Sequence, residues 1–280
     1  MKFWFSIFCF VLVVYAGNPI RDCLNEQIIK QSKGTNYYKI NRALQDTTQI
    51  SIWGNSTAFM SFDAGMIEKK TQRSCYNYGI EGAFYNELIH LEYFNQNNTG
   101  KHIIWILNPF EFLRHQNSKI NIIDHYLPFS HTNIEHHQLQ KNGFSFLKYF
   151  GWNTIFRMNA EHWKLILGGK NKVNFDQHGN IQFEQDFKHE NAFYQDSLKY
   201  SLDKIKEINA LIKSINKNNQ LTLVIPPNLT HQDFNSFIKQ ITHPIIDFSN
   251  FFTDQSSFQD HIHIRPNKMG VLTTQLIRKF

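Results

Sequence analysis

The run His102-Ile103-Ile104-Trp105-Ile106-Leu107 is apolar at every position after the first, and Leu221-Thr222-Leu223-Val224-Ile225 is nearly so. Neither alternates polar with apolar residues, so neither fits a strand with one face in water. Continuous apolar runs of this length read as strands buried on both faces. That environment arises when helices cover both sides of a parallel sheet. The surrounding sequence supplies the matching rhythm. Gln49 to Trp53 reads as a strand with Ile50 and Ile52 alternating, Thr57 to Lys70 as a helix and Ser74 to Tyr78 as a short strand. Ala83 to Asn95 reads as a helix with Leu88, Leu91 and Tyr93 among its apolar positions. After a break, Asn191 to Lys217 forms a long amphipathic helical pattern, and Leu221 to Ile225 is stopped by Pro226-Pro227. A helix near 231–241, a last strand Pro244 to Phe248 and a closing helix Pro266 to Arg278 complete the series. The predicted fold class is α/β: a three-layer α/β/α arrangement with a mostly parallel, doubly wound sheet. Ligands of such sheets sit at the carboxyl ends of the strands.

Two regions fall outside this pattern. Residues 109–190 are rich in Phe, His, Asn and Trp and read as an insertion or cap within a single domain spanning 49–280. Residues 1–17 hold an uncharged stretch, Phe3 to Gly17, after Met1-Lys2. That length suits a secretory signal core, with small residues at Val14-Tyr15-Ala16, or an anchor extended toward Ile20, with a buried helix of a soluble body as the lesser alternative. Residues 18–48 read as a connector with some helix. An extracytoplasmic location follows from the signal and the anchor readings of the first segment.

With 26 phenylalanines and 41% apolar residues in 280, a packed body is expected. Lysine and arginine exceed aspartate and glutamate by 29 to 23, and the excess is spread thinly. This points to mildly anionic surroundings such as a membrane face or an acidic polymer, and no nucleic-acid-binding pattern is present. Cys23 and Cys75 could pair in an oxidising compartment, but three cysteines make two buried free thiols the favoured expectation. His125, His131, His136 and His137 lie close together, but 14 histidines are scattered through the chain, so no metal is expected from them. No cofactor motif is found. The aromatic stretch 144–163 reads as core or cap packing, with a surface for sugar rings or lipid as the lesser alternative. Asn97-Asn98-Thr99, Asn228-Leu229-Thr230 and Asn55-Ser56-Thr57 are glycosylation sequons.

Three short stretches carry chemistry. Gly54-Asn55-Ser56-Thr57-Ala58-Phe59 leaves the first strand and enters a helix, so Ser56 is either the helix cap or a nucleophile at the sheet's carboxyl edge. Asp260-His261-Ile262-His263 precedes the closing helix. Its spacing lets Asp260 fold back on the His263 imidazole, although the same residues could be a metal cluster or a polar loop, and His261 competes as base. Asn77-Tyr78-Gly79-Ile80-Glu81-Gly82 follows the second strand, where glycines permit a tight turn that brings a backbone N–H near a developing oxyanion.

In order and spacing, these three stretches together resemble the SGNH (GDSL-like) hydrolase superfamily over residues 49–108 and 220–280. Asn55 stands where that family has aspartate. Phe62-Asp63, Asn108-Pro109-Phe110 and Ile245 to Phe252 look like its members that modify cell-envelope polymers. The resemblance implies a flavodoxin-like sheet and Ser56, His263 and Asp260 as the catalytic row. It also implies an oxyanion hole from the amides of Ser56 and Gly82, with Asn108 as the third donor. Asn108 departs from the family pattern, since its strand ends Leu107-Asn108-Pro109 rather than in a Gly-x-Asn-Asp setting. The implied activity is acyl transfer on an extracytoplasmic glycan, as an acetyl esterase or an O-acyltransferase. A transferase would draw its acyl group from a multi-spanning membrane acyltransferase, because acyl-coenzyme A is cytoplasmic. The opposing expectation is a non-catalytic envelope-binding module on the same scaffold.

Overall fold

The computed structural model describes residues 2–45, 47–85, 88–114, 126–129, 151–169, 175–181, 198–230 and 233–280. The four clustered histidines at 125, 131, 136 and 137 lie outside these residues, as do 144–150 of the aromatic stretch and 191–197 of the predicted long helix. The chain divides into two compact units, one of residues 1–41 and 121–173, the other of residues 42–120 and 174–280. Two helices, α1 (Lys2–Gln31) and α2 (Asn36–Gln45), come before the first strand in the chain.

The second unit is built on five parallel strands: β1 (Ile50–Trp53), β2 (Cys75–Asn77), β3 (His102–Ile106), β4 (Gln220–Ile225) and β5 (Ile245–Asp247). Their order is β2-β1-β3-β4-β5, and every pairing is parallel. Successive crossovers run outward in opposite directions from the β1/β3 pair, so the chain leaving β1 and the chain leaving β3 diverge at their carboxyl ends. This is the switch point at which doubly wound sheets open a crevice. The fold class expected from the buried runs is therefore observed. β1 and β3 are buried along their whole length, with Ile52 facing Ile104 and Trp53 facing Trp105 in register. Each fully buried isoleucine here contributes about 1.5–3 kcal/mol by removal from water.

Four helices of this unit position the site. The predicted helix 57–70 is two: α3 (Ser56–Ser61) and α4 (Ala64–Thr71). The break has a local cause, because the Asp63 side chain caps α4 by accepting from Met66 N at 3.0 Å. The carbonyls freed at the end of α3 are met by Asn77, whose Nδ2 donates to Ala58 O and Phe62 O. The predicted helix 83–95 starts later, as α5 (Ile89–Asn97). A turn over Ile80–Ala83, with Gly82 at φ 68°, precedes it. The closing helix (Pro266–Ile277) begins with proline at its first turn, as expected. It packs on α3 and α4, and its Met269, Leu272 and Leu276 join Ile50, Ile52, Ile104 and Phe258 in one core cluster.

In the first unit, the segment expected to be a connector with some helix is mostly helical. Helix α1 is continuous from Lys2 to Gln31, with Pro19 inside it. Its two halves differ. Trp4, Phe5, Phe8, Leu12 and Tyr15 are exposed, whereas Arg21, Asn25 and Ile28 beyond Gly17 are buried. Gly17 lies against Trp152, whose ring would meet an added Cβ at 2.5 Å. The segment 18–31 is therefore packed helix, and α1 contacts the helices Gly151–Arg157 and Ala160–Ile166 of the same unit. The boundary between exposed apolar and packed segments falls at Gly17. Among the described residues, no helix is long and apolar enough to cross a membrane. Cys9, Cys23 and Cys75 are free; Cys75 is buried, but Cys23 is exposed, contrary to the expected burial of both.

Candidate active site

β1 runs into the site through Gly54, at φ 144°. An added Cβ there would lie 2.7 Å from the carbonyl oxygen of Ile106 in β3, so the turn can press against β3 only as glycine. Asn55 comes next and caps α3: its Oδ1 accepts from Thr57 N at 2.9 Å and from Thr57 Oγ1 at 2.8 Å. This separates the two readings of Ser56. The capping work belongs to Asn55, and the Ser56 hydroxyl, at the first helical position, is left for another partner. That partner is His263, with Oγ to Nε2 at 2.7 Å across 207 positions of sequence.

His263 is held by a loop closed on itself. Phe258 and Ile264, both in the core, form an antiparallel bridge, and Gln259 N donates to His263 O at 2.8 Å. Inside the loop, Asp260 Oδ1 accepts from Ile262 N and His263 N, each at 2.9 Å, and its Oδ2 lies 2.7 Å from His263 Nδ1. Burial alone would raise the Asp260 pKa. The hydrogen bond and charge of His263 and the two backbone amides outweigh it, and hold the carboxyl below its usual value. An ionised carboxylate only accepts, so it fixes the proton on Nδ1 and turns the Nε2 lone pair toward the Ser56 hydroxyl. His261 makes neither contact: its carbonyl accepts from Leu229 N instead. Of the two histidines, His263 is the one in the row.

The loop after β2 approaches the serine turn through Gly79. A Cβ on Gly79 would lie 3.0 Å from Asn55 O and 2.9 Å from Ala58 Cβ, and Ile80 N donates to Gly54 O. Gly82, singled out by resemblance, stands on the exposed tip of that turn. The close approach thus belongs to Gly79, whose own N–H is taken by Asn77 Oδ1. Among the described residues, the amides of Ser56 and Gly82 have no acceptor. Asn108 caps the short turn after β3, with Oδ1 accepting from Phe110 N at 3.2 Å while Nδ2 is uncommitted. It lines a small recess with Phe110, Pro227, Phe234, Thr57 and Ile262. The last two are the sequence neighbours of Ser56 and His263.

Sequence reasoning missed Glu111. This buried carboxylate accepts from Asn55 Nδ2 at 2.6 Å and from Tyr85 N at 2.8 Å, joining the loops after β1, β2 and β3. A charged residue inside the apolar stretch Pro109-Phe110-Glu111-Phe112-Leu113 was the available signal. Two sequons are structurally committed: Asn55 Nδ2 is bound to Glu111, and Asn228 is buried with its side chain turned to Thr230. Among the described residues, no group of three or more His, Cys, Asp or Glu side chains could hold a metal ion. No protein-family model matches the chain, and no curated protein matches it.

Proposed function

We propose that the chain is an SGNH-type serine enzyme that transfers or removes acetyl-like acyl groups on an extracytoplasmic glycan or envelope polymer through an acyl-serine intermediate. The observation that carries this reading is the row Ser56 Oγ, His263 Nε2, His263 Nδ1 and Asp260 Oδ2, with both links at 2.7 Å. Such a row lets a serine act as nucleophile at neutral pH.

In the first half-reaction, Ser56 Oγ attacks the ester carbonyl carbon as its proton passes to His263 Nε2. The resulting oxyanion would be met by the amides of Ser56 and Gly82 and by Asn108 Nδ2, the donors left uncommitted. The carbon–oxygen bond to the leaving alcohol then breaks, and that alcohol takes the proton from His263. In the second half-reaction, water or a sugar hydroxyl gives its proton to His263 and attacks the acyl carbon; the bond to Ser56 Oγ breaks, Oγ takes that proton back from His263, and the acid or a new ester is released. Asp260 keeps the imidazole tautomer throughout. The exposed apolar side chains in the first half of α1 support a protein that is exported, and either released after removal of that segment or held by it at a membrane.

The test is reaction with a serine-directed phosphonate and with a chromogenic acetyl ester. Labelling and acetate release by the wild type, both absent in Ser56→Ala, support the enzyme. No labelling of the folded wild type would leave a non-catalytic binding module. Acetate release measured with and without an oligosaccharide acceptor separates hydrolysis from transfer.

A further inference from the structure

Resting on the acyl-transfer reading, we infer that Glu111 is a positioning residue that sets the nucleophile turn, and that Asn55 and Glu111 form a matched pair in which the amide at 55 is required by the carboxylate at 111. Glu111 touches none of the reacting groups. Its two oxygens face two donors: Oε1 accepts from Asn55 Nδ2 and Oε2 from Tyr85 N. Asn55 is the residue before Ser56 and caps its helix, so the clamp acts one residue from the nucleophile. Tyr85 lies beyond the glycine turn, and its hydroxyl is fixed by Glu207 at 2.8 Å. Glu111 follows Asn108 and is anchored by Lys204, whose Nζ donates to the carbonyls of Glu111 and Leu113. One buried side chain therefore sets the spacing of the three loops that carry Ser56, Gly82 and Asn108.

The hydrogen-bond polarity explains the asparagine. With donors on both sides, position 111 must be acceptor-only, which an ionised carboxylate is and an amide is not. An aspartate at position 55 would point an oxygen at Glu111 Oε1 across 2.6 Å, two like charges in a buried site. The pair can be inverted, however. In a double variant Asn55→Asp, Glu111→Gln, the new amide at 111 would donate to the new carboxylate at 55 while its carbonyl accepted from Tyr85 N. The same carboxylate would still cap Thr57. Each single variant leaves donor facing donor or acceptor facing acceptor; the double restores the bonds to position 55 and to Tyr85 N and conserves net charge.

The experiment compares wild type, the two single variants and the double. The readouts are the phosphonate labelling rate of Ser56, well below every unfolding midpoint, and the thermal midpoint. Each single variant should label about 10- to 100-fold more slowly, the scale of loss expected from a misplaced reacting group. The double should return to within about 5-fold of wild type, a strongly non-additive cycle. A double variant no faster than the slower single overturns the pairing, and single variants labelling at the wild-type rate overturn the positioning role. If wild-type Ser56 fails to react at all, the acyl-transfer reading falls and the positioning role falls with it. The pairing is then decided by the thermal midpoints: recovery in the double upholds it, and additive losses overturn it.

Discussion

Asp260→Asn separates orientation from folding more cleanly than any other change at this site. The asparagine has one carbonyl oxygen where the aspartate has two. Left on the side of Ile262 N and His263 N, that oxygen keeps both backbone bonds at 2.9 Å. The new amide then faces His263 Nδ1 as a donor. The ring answers by moving its proton to Nε2, where it points at Ser56 and can no longer accept from it. Packing is conserved, and the loss is one charge-assisted bond replaced by a neutral one, about 1–2 kcal/mol. The loss in rate should be far larger, about 10⁴-fold, or about 5.5 kcal/mol in activation free energy, as expected when the imidazole holds the wrong tautomer. Ester hydrolysis corrected for the Ser56→Ala background, beside calorimetric unfolding, measures both. A rate within about 10-fold of wild type would refute the orienting role. Stability should also depend on pH with a defined sign. The folded Asp260 carboxyl lies below its unfolded value, so its contribution is present above the unfolded pKa near about 3.9 and lost as pH falls through the lower folded value. The stability gap between wild type and Asp260→Asn should therefore be steady near neutrality and close below about pH 4.

Gly54→Ala should lower unfolding free energy by about 1–3 kcal/mol from backbone strain at φ 144°, before the contact of its Cβ with Ile106 O at 2.7 Å is counted. Denaturant titration checks this, and full stability in the variant would mean the turn relaxes away from β3. Asn108→Ala should lower turnover about 100- to 1000-fold with little change in KM, the loss expected on removing one oxyanion donor. Steady-state kinetics that move only KM would assign Asn108 to substrate binding instead.

Much of this fold is written in local pattern. The runs at 102–107 and 221–225 demanded burial on both faces, and both became strands inside the sheet, β3 and β4. The Asp260-x-x-His263 spacing allowed the carboxylate to fold back on the imidazole, among other readings, and in the structure it does so. Harder to read were features set by partners distant in sequence. The helix break at Phe62-Asp63 has its local cap in Asp63, but the donor that satisfies Ala58 O and Phe62 O there is Asn77 Nδ2, from the strand β2. Glu111 meets Asn55 from 56 positions away; its charge within an apolar stretch marks it as unusual, but its partner is not written nearby. Helix α1 reads in sequence as an apolar segment followed by a connector, because hydropathy stops at the polar residues after Gly17. Burial of Arg21 and Asn25 is a property of the helices packed against them.

By itself the sequence determined the layered α/β class, the strand-to-helix turn at Gly54-Asn55-Ser56, and the residue types able to form an acid–base row, because hydrophobic period and local hydrogen bonding act over a few residues. Only the tertiary structure decided that Asn55 takes the cap and releases Ser56, that His263 rather than His261 is its partner, that Gly79 is the glycine in contact with the turn, and that a buried Glu111 ties the loops together. Those choices depend on which donors and acceptors meet once parallel strands bring separate crossovers to one edge of the sheet, and that meeting is fixed by the packing of the whole unit.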